Sequence, residues 1–200
     1  PIPILGAWDF YLVFAMSYSA VCGYMKVSTD LCERAEDYFY SPDLCSYPRT
    51  NIGAILSDDG DNVPKHLPPS PDIIFVANNS CHTITKWYEC LAKIYNVPFV
   101  FIDVPVLYDG ISESEIIAFR DYVEEQLKEV IENLEDFTGV RCDYDKLQES
   151  CENYRKSAKL WASIVNKRRN IPAPMSTLDI FTHTGPMLTT IGTSRLNDFY

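Results

Sequence analysis

A cysteine and a histidine stand where a strand is expected to give way to a helix, in "ANNSCHTITKWYE", residues 77–89. The apolar, β-branched residues before Cys81 predict a strand that is buried on both faces. A second apolar run, residues 97–105, follows the helix. So short a strand, helix and strand predict two parallel strands joined by a crossover. Cys81 is therefore expected at the turn that enters the helix.

A cysteine at a helix N-terminus faces unpaired backbone N–H groups and a partial positive charge. Both favour the thiolate, the form that binds metals and attacks electrophiles. An equally simple interpretation is that Cys81 is a small buried residue at a tight turn. His82 follows it and could donate a hydrogen bond to a sulfur or a substrate carbonyl, or could only cap its own helix.

Cys45 lies on a second loop, "SPDLCSYPR", between a Pro-Asp turn and another proline. If both loops lie at the carboxyl edge of the sheet, the two cysteines meet where α/β sheets bind ligands. An odd total of seven cysteines, with no CxxC pair, argues against a disulfide framework and against a zinc ribbon or finger. The other five cysteines are predicted to be packing residues: Cys22, Cys32, Cys90, Cys142 and Cys151.

The bulk properties predict a globular chain with one domain, or one domain and the start of another. The chain has 200 residues, of which 46% are hydrophobic and 22% charged. A formal net charge of −11 argues against nucleic acid as a main partner. Glycine-rich nucleotide loops and a GxSxG hydrolase motif are absent from the sequence. His66 and His183 are expected to be surface or packing residues.

The first 25 residues are apolar, and Asp9 is their only charge, so a membrane span is one interpretation. Pro3, Gly6 and Asp9 weaken it, and no basic segment precedes the run as a signal peptide requires. A buried strand and a short helix are the favoured interpretation. The chain begins at Pro1 without a methionine, which is consistent with a fragment of a longer protein.

Two long helices are predicted in the second half of the chain, after an acidic and proline-rich loop at residues 57–71. The first begins at an N-cap, Ser112 or Ser114, and ends before Gly139. The second is capped by Asp143, and the two are expected to form an antiparallel hairpin. The predicted apolar face of the second helix consists of Leu147, Cys151, Tyr154, Ala158, Trp161 and Val165. "IPAPM" ends that helix, and the chain is then expected to enter another domain.

Several segments together resemble the 2-hydroxyacyl-CoA dehydratase and benzoyl-CoA reductase family, from about residue 40 to the end. In order, they are "DLCSYPR", "NNSCHTITKWYE", "NVPFVFIDVPVLYDG", "RRNIPAPM" and "LDIFTHTGPMLTTIGT". The likeness is to the first half of a subunit similar to the D-component of 2-hydroxyglutaryl-CoA dehydratase. It implies an α/β fold with a Rossmann-like parallel sheet and flanking helices in residues 1–111, a helical hairpin in 112–172 and the truncated start of a second α/β domain in 173–200.

The resemblance also implies a [4Fe–4S] cluster that three cysteines hold at the junction of two domains. By motif, Cys45 and Cys81 are the first two ligands, and the third is expected beyond Tyr200. Three thiolates would leave one iron open to water or to a substrate oxygen. His82 becomes a candidate hydrogen-bond donor beside the cluster. Asp103 is a possible polar group near the site, or it only caps the following turn. The resemblance assigns no catalytic residue.

By the same resemblance, the chain is expected to be a cytoplasmic lyase subunit that pairs with a related second subunit. An ATP-dependent iron–sulfur activator would deliver one electron, which makes a ketyl radical at the thioester carbonyl of an (R)-2-hydroxyacyl-CoA. The radical expels the 2-hydroxyl group, a proton leaves C3 and the electron returns, in oxygen-sensitive chemistry. One alternative is a benzoyl-CoA reductase-type oxidoreductase that reduces an aromatic acyl-CoA. Another is a non-catalytic partner whose cluster serves assembly or electron relay. Neither nucleic acid nor a membrane is an expected partner.

Overall fold

The computed structural model describes residues 2–8, 10–57 and 68–200. These residues are mostly helical, with one small parallel sheet, so the predicted α/β class is confirmed, while its Rossmann-like detail stays a prediction. His66 and most of the predicted loop at 57–71 lie outside the described residues. The elements are α1 (Ile2–Leu5), α2 (Ala15–Tyr24), α3 (Ser28–Asp37), α4 (Ser46–Ile55), β1 (Ile74–Ala77), α5 (His82–Tyr95), β2 (Phe99–Ile102), α6 (Glu113–Thr138), α7 (Tyr144–Lys167), α8 (Thr177–Thr190) and α9 (Ser194–Phe199).

The chain divides into two compact units. The sheet unit is Phe14–Val130, and the terminal unit combines Pro1–Val13 with Ile131–Tyr200. Both candidate cysteines, Cys45 and Cys81, belong to the sheet unit. The domain boundaries expected after residues 111 and 172 stay predictions.

The predicted strand–helix–strand motif is confirmed in the sheet unit. β1 and β2 pair in parallel, with Ile74 opposite Phe99 and Ala77 opposite Ile102. α5 connects them and packs against β1. It ends at Asn96, whose left-handed φ of 54° is typical of a residue that terminates a helix. β1 therefore leads at its carboxyl end into the turn that carries Cys81.

The core of the sheet unit forms where α2, α4 and α5 cover the first strand. Its buried members are Ala15, Ile52, Ile74, Trp87, Leu91 and Ala92. α3 approaches α4 closely on another side, because Gly53 of α4 lies against the backbone of α3 at Leu31. Glycine is needed at that point because a side chain would occupy the space of the Leu31 carbonyl group.

The strand predicted within the first 25 residues is wrong, because the structure places helices α1 and α2 in the described part of that segment. The buried residues of α2 are Ala15, Tyr18, Ser19 and Cys22, which recur at helical spacing. The aromatic and β-branched composition favoured a strand, but tertiary burial follows the period of a helix. Within the described residues, no helix is both long and apolar enough to span a bilayer.

Ser112 caps α6, which decides between the two predicted N-caps. Its hydroxyl accepts from the backbone N–H of Glu115 at 3.3 Å, and its own N–H donates to the Glu115 carboxylate at 2.8 Å. The hydroxyl groups of Ser112 and Tyr108 donate to that carboxylate and, with the Ser112 N–H, lower the pKa of Glu115 to about 2. The helix ends before Gly139, whose φ is 68°, as predicted.

α7 begins at its predicted N-cap, Asp143, whose carboxylate accepts from the backbone N–H of Asp145 and of Lys146. Within the terminal unit α7 packs against α1 and α9. The antiparallel hairpin expected between α6 and α7 stays a prediction. Ser150 and Ser157 are the buried side chains of α7, whereas Tyr154 and Val165 of the predicted apolar face are exposed.

Two glycines explain why a serine lies on the buried face of α7. A Cβ atom added at Gly6 or at Gly192 would lie 2.5 Å from the hydroxyl oxygen of Ser150. The backbone therefore approaches α7 so closely that only a small side chain fits at position 150. Apolar periodicity alone selected the neighbouring face, which includes Cys151, the residue after Ser150.

Replacing Gly53 with alanine tests the close approach of α3 and α4. The added methyl group would overlap the backbone of Leu31. We expect Gly53→Ala to lower the free energy of unfolding by about 2 kcal/mol or more, in spite of the better helix propensity of alanine. Urea denaturation followed by circular dichroism measures it. Gly23→Ala in α2 is the control, because its methyl group would meet Ser28 at an ordinary 3.7 Å. Equal stability of the two variants would contradict the tight packing.

Candidate functional site

Cys81 is the N-cap residue of α5, four residues after the end of β1, so its predicted position is confirmed. Its backbone is extended, with φ −75° and ψ 146°. The cysteine is exposed, which rules out the alternative of a small buried residue at a tight turn. His82 is the first residue of the helix and is also exposed.

Cys45 occupies the same position in α4. It is the N-cap residue, with φ −48° and ψ 138°, and it is exposed. In neither helix does the cysteine side chain accept a hydrogen bond from the first turn. Each exposed thiol therefore stands at the N-terminal end of a helix, where backbone N–H groups lack partners within the helix.

The remaining cysteines are placed differently. Cys22, Cys32 and Cys142 are buried, and Cys90 and Cys151 are partly buried, as expected of packing residues. Burial raises the pKa of the Cys22 and Cys142 thiols, which keeps them in the neutral form. Only Cys45 and Cys81 are therefore freely accessible among the seven.

An arginine braces the turn that carries Cys45. The Arg49 guanidinium forms an ion pair with Glu36 of α3, and its Nε donates to the carbonyl oxygen of Leu44 at 3.0 Å. Only 16% of the Arg49 side chain is exposed. The Cys32 thiol also lies 3.7 Å from the carbonyl oxygen of Ser46. α3 thus holds the chain on both sides of Cys45.

A polar network anchors the turn that leads to Cys81. The Asn78 side-chain amide donates to the Asp103 carboxylate, and its oxygen accepts from the backbone N–H of Val104 at 2.7 Å. Gln126 of α6 pairs with both backbone groups of Asp103, each at 2.8 Å. The Tyr122 hydroxyl donates to the second carboxylate oxygen at 3.1 Å. The carboxyl ends of β1 and β2 are therefore tied together and to α6.

These contacts give Asp103 a structural role. Both carboxylate oxygens accept hydrogen bonds from neighbouring side chains, and the hydrogen bond to Asp103 raises the pKa of Tyr122. The sequence left open whether Asp103 lies near the site or caps a turn. It fixes the turn at the carboxyl edge of the sheet through Asn78, which precedes Cys81 by three residues.

α4 and α5 are joined by one buried hydrogen bond, from the Trp87 indole N–H to the Asn51 side-chain oxygen at 3.0 Å. The two candidate cysteines thus lie on helices that contact each other in one unit. Within residues 2–8, 10–57 and 68–200, no three His, Cys, Asp or Glu side chains converge as a metal site would require. His183 contacts the Asp179 carbonyl oxygen and the Phe199 ring, as expected of a packing histidine.

Sequence reasoning assigned no role to Arg49, Asn51 or Gln126. Arg49 falls within the quoted segment "DLCSYPR", four residues after Cys45, so its position near the turn was visible. Its partner Glu36 is 13 residues earlier, and Asn51 is 36 residues from Trp87. Such pairings depend on tertiary structure and leave no periodic signal in the sequence.

Removing the Arg49 brace should loosen the Cys45 turn. Arg49→Met keeps the apolar stem but leaves Glu36 and the Leu44 carbonyl without their donor. We expect amide hydrogen exchange at Leu44, whose N–H is bonded to Ser41, to accelerate by about fivefold or more, for a loss of about 1 kcal/mol at this partly exposed pair.

Arg120→Met is the matched control for this experiment. Arg120 pairs with Asp121, and both side chains are more than half exposed, so we expect its loss to leave Leu44 exchange unchanged. Wild-type exchange at Leu44 in Arg49→Met would show that the brace does not hold the turn.

The amino-acid sequence of the chain is similar to those of several known proteins. The chain is 31% identical, over 92% of its length, to the (R)-2-hydroxyisocaproyl-CoA dehydratase alpha subunit of Clostridioides difficile, covering 44% of that protein. It is 28% identical, over 94% of its length, to the (R)-phenyllactyl-CoA dehydratase alpha subunit of Clostridium sporogenes, covering 45%. It is 31% identical, over 89% of its length, to a benzoyl-CoA reductase subunit of Thauera aromatica, covering 41%.

The chain thus spans less than half the length of these curated relatives. Residues 2–200 match the family described as "2-hydroxyglutaryl-CoA dehydratase, D-component". The match covers both cysteine-bearing turns and both units. This chain belongs to the 2-hydroxyglutaryl-CoA dehydratase D-component family.

Proposed function

We propose that this chain is the cluster-binding part of a 2-hydroxyacyl-CoA dehydratase subunit, and that Cys45 and Cys81 are two ligands of a [4Fe–4S] cluster. One observation carries the proposal. The two exposed cysteines among the seven are the N-cap residues of two helices that contact each other. Structural cysteines are among the most buried residues, so exposure of only these two favours a functional role.

The donor set fits such a cluster. Cysteine thiolates hold iron–sulfur clusters, and hydrogen bonds to the sulfur atoms tune their potential. Both thiols stand at helix N-termini, where backbone N–H groups are available for that purpose. The third cysteine of the proposed set would lie beyond Tyr200. When bound, the cluster would supply one electron and an iron that can bind a substrate oxygen.

The residues of this chain hold and orient the two thiols. Arg49 and Glu36 fix the turn before α4, and Asn78 and Asp103 fix the turn before α5. His82, which is exposed beside Cys81, is proposed to donate a hydrogen bond to a cluster sulfur. These contacts position the two proposed ligands.

The proposed substrate is the thioester of an (R)-2-hydroxy acid. Among the relatives, the named dehydratases act on phenyllactyl-CoA and 2-hydroxyisocaproyl-CoA, which differ in the acyl chain and share the 2-hydroxyacyl thioester. In the reaction the C2–O bond breaks, a proton leaves C3 and a C2–C3 double bond forms. The electron is returned, so the elimination of water is redox-neutral overall.

Partners follow from the same relatives. Each is named as one subunit of a larger enzyme, so we propose a related second subunit. The family resemblance implies a separate ATP-dependent iron–sulfur activator, which is proposed to supply the electron. The second candidate function is reduction of an aromatic acyl-CoA, which the 31% identity to a benzoyl-CoA reductase subunit favours. The two functions share the proposed cluster and differ in the fate of the electron.

Serine substitution tests the ligands. We expect Cys45→Ser and Cys81→Ser, in the full-length protein purified anaerobically with its partner, to lose most of about four iron atoms per cluster because the alkoxide is a poor iron ligand. Colorimetric iron and sulfide assays measure the loss. Cys90→Ser is the matched control, because Cys90 also lies on α5 but is a partly buried packing residue and not a proposed ligand. Full iron content in Cys81→Ser would reject the assignment.

Turnover distinguishes the two reactions. We expect the activated complex to convert an (R)-2-hydroxyacyl-CoA into the 2-enoyl-CoA without net consumption of reductant, measured by chromatography of the thioesters. Stoichiometric oxidation of reductant with benzoyl-CoA, and no elimination of water from any of several 2-hydroxyacyl-CoA thioesters, would instead establish the reductase function.

A further inference from the structure

The contact between α4 and α5 combines two polar side chains in an apolar core. The Trp87 indole N–H donates to Asn51 Oδ1 at 3.0 Å, and the two residues are only 3% and 2% exposed. Ile52, Leu91 and Ala92 belong to the apolar core around Trp87. Apolar contacts are non-directional and tolerate sliding, whereas a buried hydrogen bond is lost when its donor and acceptor move apart. The hydrogen bond therefore selects one arrangement of the two helices.

The position of this bond along each helix relates it to the cysteines. Asn51 lies six residues after Cys45, and Trp87 lies six residues after Cys81. At 1.5 Å per residue, the bond is about 9 Å along the axis from each N-cap. Rotation of one helix by about 10° around this contact would move its cysteine by roughly 1.5 Å, which is enough to spoil a metal site.

We propose that Asn51 and Trp87 are a positioning pair whose hydrogen bond sets the separation of the Cys45 and Cys81 thiols. A single buried polar pair can fix the register of two helices that apolar packing alone leaves free. The importance of that separation for iron binding rests on the proposed function. The separation itself is a property of the metal-free protein and is measured there.

Tyr88 provides a matched comparison on the same helix. Its hydroxyl group interacts with the backbone of Ala15 in α2, and burial raises its pKa. Tyr88→Phe therefore removes a hydroxyl group from α5 and leaves the Trp87–Asn51 hydrogen bond intact. A general loosening of α5 would follow from either Tyr88→Phe or Trp87→Phe, but a loss of register with α4 would follow only from the latter.

The experiment uses the metal-free, full-length protein with nitroxide labels on its exposed native thiols, Cys45 and Cys81. Cys90, Cys151 and any cysteine beyond Tyr200 are replaced by serine so that only Cys45 and Cys81 take a label. Electron paramagnetic resonance then gives the distribution of distances between the two labels. We expect one narrow distribution in this background and in Tyr88→Phe. In Trp87→Phe we expect a shift or broadening of about 1.5 Å or more.

A double variant separates register from stability. Replacing both partners, in Asn51→Leu with Trp87→Phe, removes the unpaired polar group, so the melting temperature is expected to recover while the distance distribution stays shifted or broad. If the single variant Trp87→Phe fails to fold, the double variant is used for the distance measurement in its place. A narrow wild-type distribution in either variant would overturn the proposal, because apolar packing would then set the separation.

Iron content gives a second readout on the unlabelled proteins with native cysteines. We expect iron incorporation to fall severalfold in Trp87→Phe and to stay at the wild-type level in Tyr88→Phe. Wild-type iron content in Trp87→Phe would overturn the importance of the separation for iron binding. If the wild-type protein binds no iron, the proposed function fails, and the distance measurement still decides whether Asn51 and Trp87 position the thiols.

Discussion

The hydrogen bond between Trp87 and Asn51 is the interaction on which the candidate site depends. Its net contribution to stability is about 1 kcal/mol, but leaving either partner unpaired in the core costs about 1–3 kcal/mol. The penalty for misalignment thus exceeds the gain from the bond itself. A polar pair with that asymmetry contributes more to the choice of one helix arrangement than to the free energy of folding. The two cysteine-bearing helices inherit their relative position from it.

The two turns that carry the thiols are held by different parts of the chain: the Cys45 turn by the helix that precedes it, and the Cys81 turn by elements that follow it. α3 reaches the Cys45 turn through Glu36 and Arg49, and it can do so because Gly53 lets α3 and α4 approach backbone to backbone. β2 and α6 hold the Cys81 turn through Asp103 and Gln126. Exposed thiols on rigid turns suit a site whose ligands must be in place before the metal binds.

Local patterns predicted the strand–helix–strand motif, the two long helices and their N-caps, and they did not predict α3, α4 or α8. Strong apolar runs around Cys81 gave the strand–helix–strand motif because burial of a βαβ unit imposes that pattern. The same reasoning placed a strand in the first 25 residues, where α2 forms instead, and missed Ser150 on the buried side of α7, where the close glycine backbone requires a small side chain. Trp87 was recognised as an apolar position, but its N–H group finds its acceptor 36 residues away.

The similarity to two kinds of enzyme limits what this part of the chain is expected to do. It is 31% identical both to a 2-hydroxyisocaproyl-CoA dehydratase subunit and to a benzoyl-CoA reductase subunit. The dehydratase and the reductase differ in substrate and product, but the name of each specifies an acyl-CoA. A segment equally similar to both is expected to serve what they share, which in the proposed function is delivery of an electron to a thioester. The braced cysteine turns would perform that common task, and side chains that select the acyl group are then to be sought elsewhere in the enzyme.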